Sequence, residues 1–222
     1  MAKKNVVFLT GFINEILNDN KTLFTVQIRK NEKKFVYPIV QLGEEALEVR
    51  SELKVGDLIC IQGRIQTEQK EVTFNCPDCG EEMINKYTLT TVYADVAKLM
   101  TPISDEPFIN TVILLGAVCR DKEFKYINGT ISPVANTKYQ IAVNRREKDK
   151  ADFPWISTFA KQAEEDARRL NVSSQVLVHG SIITRQNNKD CICPKCECVV
   201  PISEMHTEIL GKTVEYLNNC VF

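Results

Sequence analysis

Six of the nine cysteines lie in two short and similar stretches of the sequence. The first stretch reads CPDCG and contains Cys76 and Cys79. The second reads CICPKCEC and contains Cys191, Cys193, Cys196 and Cys198. A Cys-Pro-x-Cys turn, here called a knuckle, directs backbone N–H groups at two thiolates that can share one metal ion. Four thiolates in a tetrahedron are a usual ligand set of structural zinc, so the pattern predicts a structural Zn²⁺.

Two ligand sets are compatible with this spacing. In one, the two knuckles meet and hold a single ion with Cys76, Cys79, Cys193 and Cys196. In the other, the second stretch forms a site on its own, with Cys191 and Cys198 as additional ligands. We expect the shared site. A redox motif is less consistent, because the Cys-x-x-Cys of thioredoxin-like proteins begins a helix rather than ending a hairpin. Four thiolates leave no open coordination position, so neither ligand set makes the metal catalytic.

Aromatic and basic side chains are the second chemical signal. Phe153, Trp155 and Phe159 occupy alternate positions of FPWISTF, so in a strand they share one side. Bases stack on exposed aromatic rings and phosphates pair with Lys and Arg, which together bind single-stranded nucleic acid. Alternating aromatics also fill barrel interiors. Further candidate rings are Tyr139, Phe124 and Tyr126. The candidate cations are Arg120, Arg145, Arg146, Lys161 and Arg185.

Composition limits where such a site can be. A chain of 222 residues with 44% hydrophobic content can form one or two domains. The net charge of −1 gives no general attraction for polyanions, so a nucleic-acid site must be a local basic surface. We find neither a secretory leader nor an apolar run of membrane-spanning length. We therefore expect a cytoplasmic protein with no membrane partner, where clustered cysteines bind metal more often than they form disulfides.

The chain is an internal duplication. LKVGDLICIQGRIQT and LNVSSQVLVHGSIIT align without a gap at an offset of 117 residues, and the same offset places Cys76 on Cys193 and Cys79 on Cys196. Upstream, VVFLTGFI aligns with TVILLGAV and FTVQIRK with YQIAVNR at smaller offsets. The sequence thus predicts a first domain over 1–100, a linker over 101–107 and a second domain over 108–222.

Each copy has the element order of an OB-fold. Four β-rich runs of the second copy are interrupted once, between the third and fourth, by a helical pattern of Ala160, Ala163, Ala167 and Leu170. The first copy repeats this pattern with Leu42, Ala46, Val49 and Leu53. A fifth strand follows each knuckle. We predict an all-β protein of two tandem OB barrels, each with one helix and with its knuckle in the loop between strands four and five.

Several motifs of the second copy occur in an order that a known family shares. They are NTVILLGAVCRDKEFKY, YQIAVNRR, DFPWISTFAKQAE and SQVLVHGSIITR, and they cover nearly all of residues 109–185. The family's pattern of two aromatics six residues apart, followed by a small residue and Lys, is met by Phe153, Phe159, Ala160 and Lys161. The second copy therefore resembles the OB domain of bacterial single-stranded DNA-binding proteins. The first copy joins this resemblance only through the internal repeat.

The resemblance implies that Phe153 and Phe159 stack on bases, whereas the family pattern does not place an aromatic at Trp155. The family commonly works with four barrels, which implies a homodimer for a chain of two. Two features depart from the family. Its usual domain has no cysteine knuckle, and its long tail with an acidic tip has no counterpart in YLNNCVF. The resemblance thus supports strand binding better than recruitment of replication or repair proteins.

The first copy carries a weaker version of the binding pattern. At an offset of 117, Val36, Pro38 and Leu42 stand in the places of the three aromatics. Phe35 and Tyr37 lie on the other register. Either the first copy binds through these two rings on a shifted strand, or it is mainly a structural and dimerising partner. Its candidate cations are Arg29, Lys30 and Arg64.

The sequence predicts a sequence-tolerant single-stranded DNA-binding protein of DNA replication, recombination or repair. The alternative is an assembly module in which OB barrels and a zinc site dock a primase, helicase or polymerase. These residues do not distinguish DNA from RNA. Since no serine–histidine–acid set, phosphate-binding glycine loop or paired-carboxylate motif stands out, we do not expect an enzyme.

Overall fold

The computed structural model describes residues 4–31, 34–101, 108–129, 132–145 and 150–221. The first barrel begins with the strands β1 (Lys4–Ile16), β2 (Leu23–Asn31), β3 (Lys34–Val36) and β4 (Ile39–Leu42). A 3₁₀ helix (Glu44–Ser51) follows, and then β5 (Leu58–Asn75) and β6 (Glu82–Met100) complete this barrel. Six of the predicted linker residues, 102–107, lie outside the described residues.

The second barrel repeats this order with one additional strand before the helix. Its strands are β7 (Asn110–Val118), the additional strand β8 (Glu123–Ile127), β9 (Val134–Asn144), β10 (Ala151–Asp152) and β11 (Trp155–Phe159), followed by helix α1 (Ala160–Arg169). The strands β12 (Gln175–Ile192) and β13 (Val199–Asn218) complete it. The prediction of an all-β chain with two OB barrels and one helix in each is confirmed.

The two barrels close in the same way. The short strand before the helix runs parallel to the last strand, so that Val40 pairs with Val92 and Ile156 with Ile209. Inward-facing aliphatic side chains fill both barrels, as alternation predicts. Phe24 and Tyr139 occupy equivalent positions of β2 and β9, and both are fully buried. The apolar pattern of each copy therefore determines one barrel.

Two glycines permit a close approach between the first strands of each barrel. A Cβ on Gly11 would lie 2.5 Å from the carbonyl oxygen of Gln27, and one on Gly116 would lie 2.7 Å from that of Ala142. No side chain fits at such distances without moving the backbone. Gly11 within β1 and Gly116 near the end of β7 thus allow β2 and β9 to pack tightly against these strands.

Strands β1 and β7 pair with each other and join the two barrels into one continuous sheet. Val7 pairs with Val112, and these two residues occupy the same position in the two copies. The pairing is antiparallel, so a pseudo-twofold axis passes between them. The tandem chain therefore contains, within one molecule, the kind of self-complementary contact that two identical subunits would make.

The last two strands of each barrel form a long hairpin that extends to its knuckle. β5 and β6 pair as far as Asn75 with Glu82, and β12 and β13 as far as Ile192 with Val199. The two hairpins contact each other: the buried Asn85 donates a side-chain hydrogen bond to the carboxylate of Glu204. The knuckles lie in the loops that the sequence predicts, and the hairpins bring them together.

The helices differ from the predicted faces in detail. In α1, Ala163 is buried and Leu170 follows as a buried residue, but the helix starts at an exposed Ala160 with φ +51°. Asp166 is buried instead, because Thr158 and Tyr216 donate hydrogen bonds to its carboxylate. In the described part of the chain, neither helix is long and apolar enough to cross a membrane.

Candidate nucleic-acid interface and cysteine cluster

The outer side of β11 carries an aromatic and basic surface. Trp155 and Phe159 are half-buried, whereas Ile156 and Thr158, on the opposite side of the strand, are fully buried. Lys138 of the adjacent β9 places its Nζ 5.0 Å from the centre of the Trp155 ring, and the Arg185 guanidinium lies 5.6 Å from that of Phe159. Phe153 precedes the strand and is 42% exposed. The structure therefore brings the three predicted aromatics together, each at least partly accessible. We call these three rings the aromatic face.

A buried polar network supports this face from below. Glu208 on β13 accepts hydrogen bonds from Lys138 Nζ at 2.6 Å and from Ser157 Oγ at 2.7 Å. Although burial acts to raise it, these two donors hold the pKa of Glu208 below its usual value. His206 Nε2 lies 3.5 Å from the same carboxylate, and burial lowers the pKa of that imidazole. The network fixes Lys138 beside Trp155.

Phe124 and Tyr126 lie apart from the aromatic face. They are 43% and 61% exposed and pack edge to face with their ring centres 5.4 Å apart. On β9, Phe124 pairs with Thr137, whereas the neighbouring Lys138 pairs with Ser157 of β11. Since paired residues point to the same side of a sheet, these two rings project from the opposite side to Trp155 and Phe159. They can extend a binding path only around the edge of the barrel.

The structure contradicts the prediction that Tyr139 stacks on bases. Its side chain is fully buried, since β9 directs it into the barrel core. Burial, together with the nearby Asp166 carboxylate, raises the pKa of its hydroxyl. The alternation of β9 places Lys138 and Gln140, not Tyr139, on the side of the aromatic face. Tyr139 is a core residue.

The predicted phosphate-binding cations fall into different environments. Arg120, Lys161 and Arg185 are exposed, and Arg185 borders the aromatic face. The Arg145 guanidinium is instead part of a largely buried ion pair with Asp152 at 2.8 Å and donates to the carbonyl of Thr67 in the first barrel. We therefore assign it to joining the barrels, which corrects its prediction as a phosphate ligand. Arg146 lies outside the described residues.

The strand equivalent to β11 in the first barrel is shifted by one residue from the gapless alignment. Val40 and Ile156 pair with equivalent residues of the last strands, which makes β4 and β11 equivalent at an offset of 116. Tyr37, Ile39 and Gly43 thus correspond to the three rings of the aromatic face. Comparing Val36, Pro38 and Leu42 with those rings was wrong by one position. One aromatic is retained at the first of the three positions.

Other candidate residues of the first barrel are placed as follows. Arg29, Lys30 and Phe35 are exposed, Tyr37 is half-buried, and its hydroxyl accepts a hydrogen bond from Gln27. Arg64 pairs with Asp95, and its guanidinium lies 4.1 Å from the centre of the Tyr93 ring. Gly43 leaves the space that Tyr93 fills, since a Cβ there would lie 2.4 Å from that ring. The sequence patterns missed Tyr93 and Lys138, because neither belongs to a strand-three motif.

The sulfur atoms of the two knuckles form one cluster. Four of them, Cys76, Cys193, Cys196 and Cys198, lie within 4.8 Å of one another. Cys76 Sγ is 3.6 Å from Cys196 Sγ and 3.2 Å from Cys198 Sγ. Four thiolates bound to Zn²⁺ at about 2.3 Å in a tetrahedron are separated by about 3.8 Å, so these positions suit a metal ion. The cluster of four includes one cysteine of the first knuckle and three of the second stretch.

Two further cysteines border this cluster. Cys79 Sγ lies 3.6 Å from Cys193 Sγ, and Cys191 packs against the cluster from β12. An ion pair of 3.4 Å between Lys195 and Glu81 also joins the knuckles. The cluster of four thus matches neither predicted ligand set: it contains Cys198 in place of Cys79 of the shared set, and Cys79 lies beside it. All nine cysteines are free thiols.

Both knuckles use the same turn. Gly80 and Glu197 occupy equivalent positions, both have positive φ, and their N–H groups donate to the carbonyls of Cys76 and Cys193. The N–H of Cys79 is the main cause that lowers the pKa of Cys76 to about 6, and the N–H of Cys196 lowers that of Cys193. Each turn therefore favours a thiolate at its first cysteine, which is the form that binds metal.

These features define the class of protein. It is a tandem OB-fold protein with a cysteine cluster between its hairpins and an aromatic, basic face on its second barrel. Its architecture is similar to that of the wild-type single-stranded DNA binding protein from Thermus aquaticus, with a TM-score of 0.67, 20% identity and coverage of 98% of this chain and 95% of that one. At this identity the likeness shows the shared two-barrel fold.

Sequence comparison identifies the second barrel more closely. The sequence model of the Single-strand binding protein family matches residues 109–197. Over 77 residues the chain is 35% identical to the single-stranded DNA-binding protein of Clostridium perfringens, covering 34% of this chain and 50% of that protein. Over 81 residues it is 37% identical to single-stranded DNA-binding protein 3 of Clostridium acetobutylicum, covering 35% and 55%. Residues 109–197 are thus similar to the Single-strand binding protein family, and the chain spans about half the length of these relatives.

Proposed function

We propose that this protein binds single-stranded DNA with little sequence preference and acts in DNA replication, recombination or repair. The aromatic face carries the proposal: three accessible rings project from one side of the second barrel, and Lys138 and Arg185 lie against two of them. The similarity of this barrel to proteins named as single-stranded DNA-binding supports it. The proposal assigns binding to this face and no catalysis.

The chemistry of the face fits a strand rather than a duplex. The bases of a single strand are unpaired and can turn toward the protein. Each base that stacks on an aromatic ring contributes about 1–3 kcal/mol regardless of its identity. The neighbouring cations neutralise phosphates and release counterions, so affinity falls as salt rises. In a duplex the bases are already stacked on one another, so no base is free to stack on the aromatic rings of the protein.

Fluorescence titration tests the proposal directly. Trp155 is the only tryptophan of the chain and belongs to the aromatic face, so a stacked base should quench its emission. We expect oligo-dT to quench strongly at low salt and a duplex of equal length to quench little. Equal affinity for both would overturn the proposal. A parallel titration with oligo-U measures the preference between DNA and RNA.

The alternative is an assembly module that docks a primase, helicase or polymerase. Every observation that supports this alternative supports strand binding equally well. A protein that bound no strand at low salt but captured such an enzyme would reverse this order.

A structural Zn²⁺ in the cysteine cluster is the second part of the proposal. Cys76, Cys193, Cys196 and Cys198 have the mutual distances that a tetrahedral thiolate site requires, and Cys79 is near enough to exchange with one of them. The ion would bind thiolates from both hairpins and so hold the two barrels together at their tips. Because metal binding is coupled to folding, its free energy would stabilise this contact.

A homodimer is the third part. The outer side of the continuous sheet exposes apolar side chains around the pseudo-twofold axis: Phe8 is 39% and Val96 is 41% exposed, and Ile113 and Leu177 are half-buried. Two copies that pack these faces together would bury them and assemble four barrels. Light scattering should give twice the chain mass, and Phe8→Glu should give a monomer. A monomer mass for the unchanged protein would overturn this part.

The cytoplasm suits this combination of features. A reducing compartment keeps the cysteines as thiols that are available to zinc. DNA replication in bacteria takes place in the same compartment. Expression of a fluorescent fusion, with imaging of its overlap with the nucleoid, would check the assignment.

A further inference from the structure

The barrels also meet at two contacts that the pseudo-twofold axis relates, here called the two seams. In one, the backbone N–H of Tyr37 donates to Thr184 Oγ1 at 3.0 Å. In the other, the N–H of Phe153 donates to Thr67 Oγ1 at 2.8 Å. Tyr37 and Phe153 are equivalent positions, and so are Thr184 and Thr67. The two seams therefore began as copies of one contact, and their differences can be compared residue by residue.

The seam at Phe153 is closed by charge neutralisation. Arg145 pairs with the buried Asp152 and donates to the carbonyl of Thr67, while Asp152 accepts the N–H of Thr67 at 2.7 Å. Asp95 lines the same cleft as Arg145. Arg145 is therefore paired with a carboxylate and covered by the other barrel, and Arg64, which lines the same cleft, is paired with Asp95. We call it the closed seam.

The seam at Tyr37 has the opposite electrostatics. Lys30 occupies the position of Arg145, but Val36 replaces Asp152, Arg185 replaces Glu68 and Lys212 replaces Asp95. Each carboxylate near the closed seam thus has an apolar or basic counterpart here. We call it the open seam.

The open seam contains a cavity of about 390 Å³ between the barrels. Its walls are Lys30, Lys34, Phe35, Val36, Tyr37, Ile183, Thr184 and Arg185, none of which is acidic. Partial burial lowers the pKa of Lys30, and the neighbouring charges of Arg185, Lys34 and Lys212 lower it further. Cations placed together in this way repel one another, and an anionic ligand in the cavity would relieve that repulsion.

The open seam is continuous with the aromatic face. Arg185 lines the cavity and also lies 5.6 Å from the centre of the Phe159 ring. On the other side of the cavity, Phe35 of the first barrel is 40% exposed and offers another ring. A strand that leaves Phe159 thus meets Arg185, the cavity and then Phe35, in that order.

We propose that the open seam binds the phosphodiester backbone of a single strand where it crosses from the second barrel to the first, with a base stacked on Phe35. The inference rests on the proposed function and specifies the path of the strand across the two barrels. The closed seam takes no strand, because Asp152 already neutralises Arg145 and Asp95 already neutralises Arg64. The chain would therefore bind DNA along one side only, although its fold is nearly symmetric.

The test uses oligo-dT of two lengths and the Lys30→Ala, Lys34→Ala double variant of the full chain. A short strand of about 8 nucleotides matches the site size of a single OB barrel and binds the aromatic face alone, whereas one of about 30 reaches both barrels. We expect the double variant to bind the short strand as the unchanged protein does. For the long strand it should bind more weakly, with a slope of log K against log salt smaller by about 1.4, since each lost phosphate contact contributes about 0.7.

The matched control removes two other exposed cations of the first barrel, in the variant Arg50→Ala, Lys98→Ala. This control has the same net charge as the test variant, so a general charge effect would appear in both. The inference is wrong if the two variants bind the long strand alike. Failure of the unchanged protein to bind the short strand would instead overturn the proposed function.

A second measurement separates a ligand site from a structural one. Because the cations of the open seam repel one another, the Lys30→Ala, Lys34→Ala variant without DNA should melt at no lower temperature than the unchanged protein. Photocrosslinking with a long strand that contains 5-iodouracil should label Phe35. A destabilised variant, or crosslinks confined to the second barrel, would contradict the inference.

Discussion

The two barrels share a fold but differ sharply in the surface that a strand would contact. Phe159 of the second barrel corresponds to Gly43 of the first, and Lys161 corresponds to Glu45. Arg185 and Lys212 correspond to Glu68 and Asp95 at the offset of 117. Thus three positions that are basic in the second barrel are acidic at the equivalent positions of the first barrel. The two copies share their buried apolar positions but carry opposite charges at these surface positions. The second barrel is therefore suited to bind a strand and the first barrel to support it.

The cysteines follow the same asymmetry. Each knuckle contributes a Cys-Pro-x-Cys turn, but Cys191 and Cys198 of the second barrel correspond to Phe74 and Glu81 of the first. The second barrel thus has enough cysteines for a metal site of its own, whereas the first does not. The structure nevertheless places Cys76 inside the cluster of four. The cluster therefore joins the two barrels, with one cysteine from the first and three from the second.

Removing the first knuckle should have the largest effect. We expect Cys76→Ser, Cys79→Ser to lose nearly all zinc from about one ion per chain, because the second stretch holds its sulfurs around Cys76. Elemental analysis of the purified variant measures this. The control is Cys60→Ser, Cys119→Ser, which changes two cysteines outside the cluster. Full zinc retention without the first knuckle would show that the second barrel binds the ion alone.

The aromatic face should account for the next largest effect. Phe153→Ala, Phe159→Ala removes two stacking rings and should weaken oligo-dT binding by about 2–6 kcal/mol, at about 1–3 kcal/mol for each base. Tyr93→Ala in the first barrel should change it by less than one stacked base, since Arg64 already covers that ring and Glu44, Glu45 and Asp95 lie around it. Anisotropy titration compares the two, with circular dichroism as the check on folding. Equal losses of oligo-dT affinity in the two variants would contradict the proposal that the second barrel binds the strand more strongly than the first.

The closed seam should matter for stability rather than for binding. Asp152→Asn keeps a hydrogen-bond acceptor for Thr67 but leaves Arg145 without its countercharge, so we expect the free energy of unfolding to fall by about 2 kcal/mol. Denaturant titration measures the change. The same titration on Val36→Ala, at the equivalent position of the open seam, gives the cost of a purely apolar truncation. Strand affinity of the Asp152→Asn protein should stay near that of the unchanged protein.

The smallest effect concerns acid stability. Glu208 lies under the aromatic face, whereas Thr91 occupies its place in the first barrel. Its pKa in the folded protein is below the usual Glu value of 4.5. The carboxylate therefore contributes stability above about pH 4.5, and this contribution is lost as the pH falls through the lower folded value. Glu208→Gln should remove that part of the pH dependence, and unfolding measured between pH 3 and 7, with Thr91→Val as control, should show whether it does.

Much of this structure could be predicted from the pattern of residue types. The repeat, the order of the main strands around a single helix and the position of each knuckle all follow from alternation, from helical spacing and from Cys-Pro-x-Cys turns. Predictions of side-chain roles were less successful. The aromatic pattern predicts that Tyr139 is exposed, although its place on β9 directs it into the core. The basic pattern predicts that Arg145 binds phosphate, although its partner Asp152 lies across a strand pair.

The sequence by itself determined what is local and periodic. One glycine in each of β1 and β7, aliphatic residues at every second position and two cysteines in a four-residue turn each specify structure within a few residues. Periodicity also identified the duplication, since equivalent cores need equivalent residues. Even the three charge reversals between the barrels are visible once the offsets are known.

Only the tertiary structure decided how the copies face each other. The β1–β7 pairing sets the pseudo-twofold axis, and the shift of one residue in β4 decides that Tyr37, not Val36, matches Phe153. These contacts join residues more than a hundred positions apart, and no local pattern encodes their distances. For the same reason the sequence left open which cysteines meet and which seam stays basic. Those depend on how two long hairpins and two barrel edges pack in space.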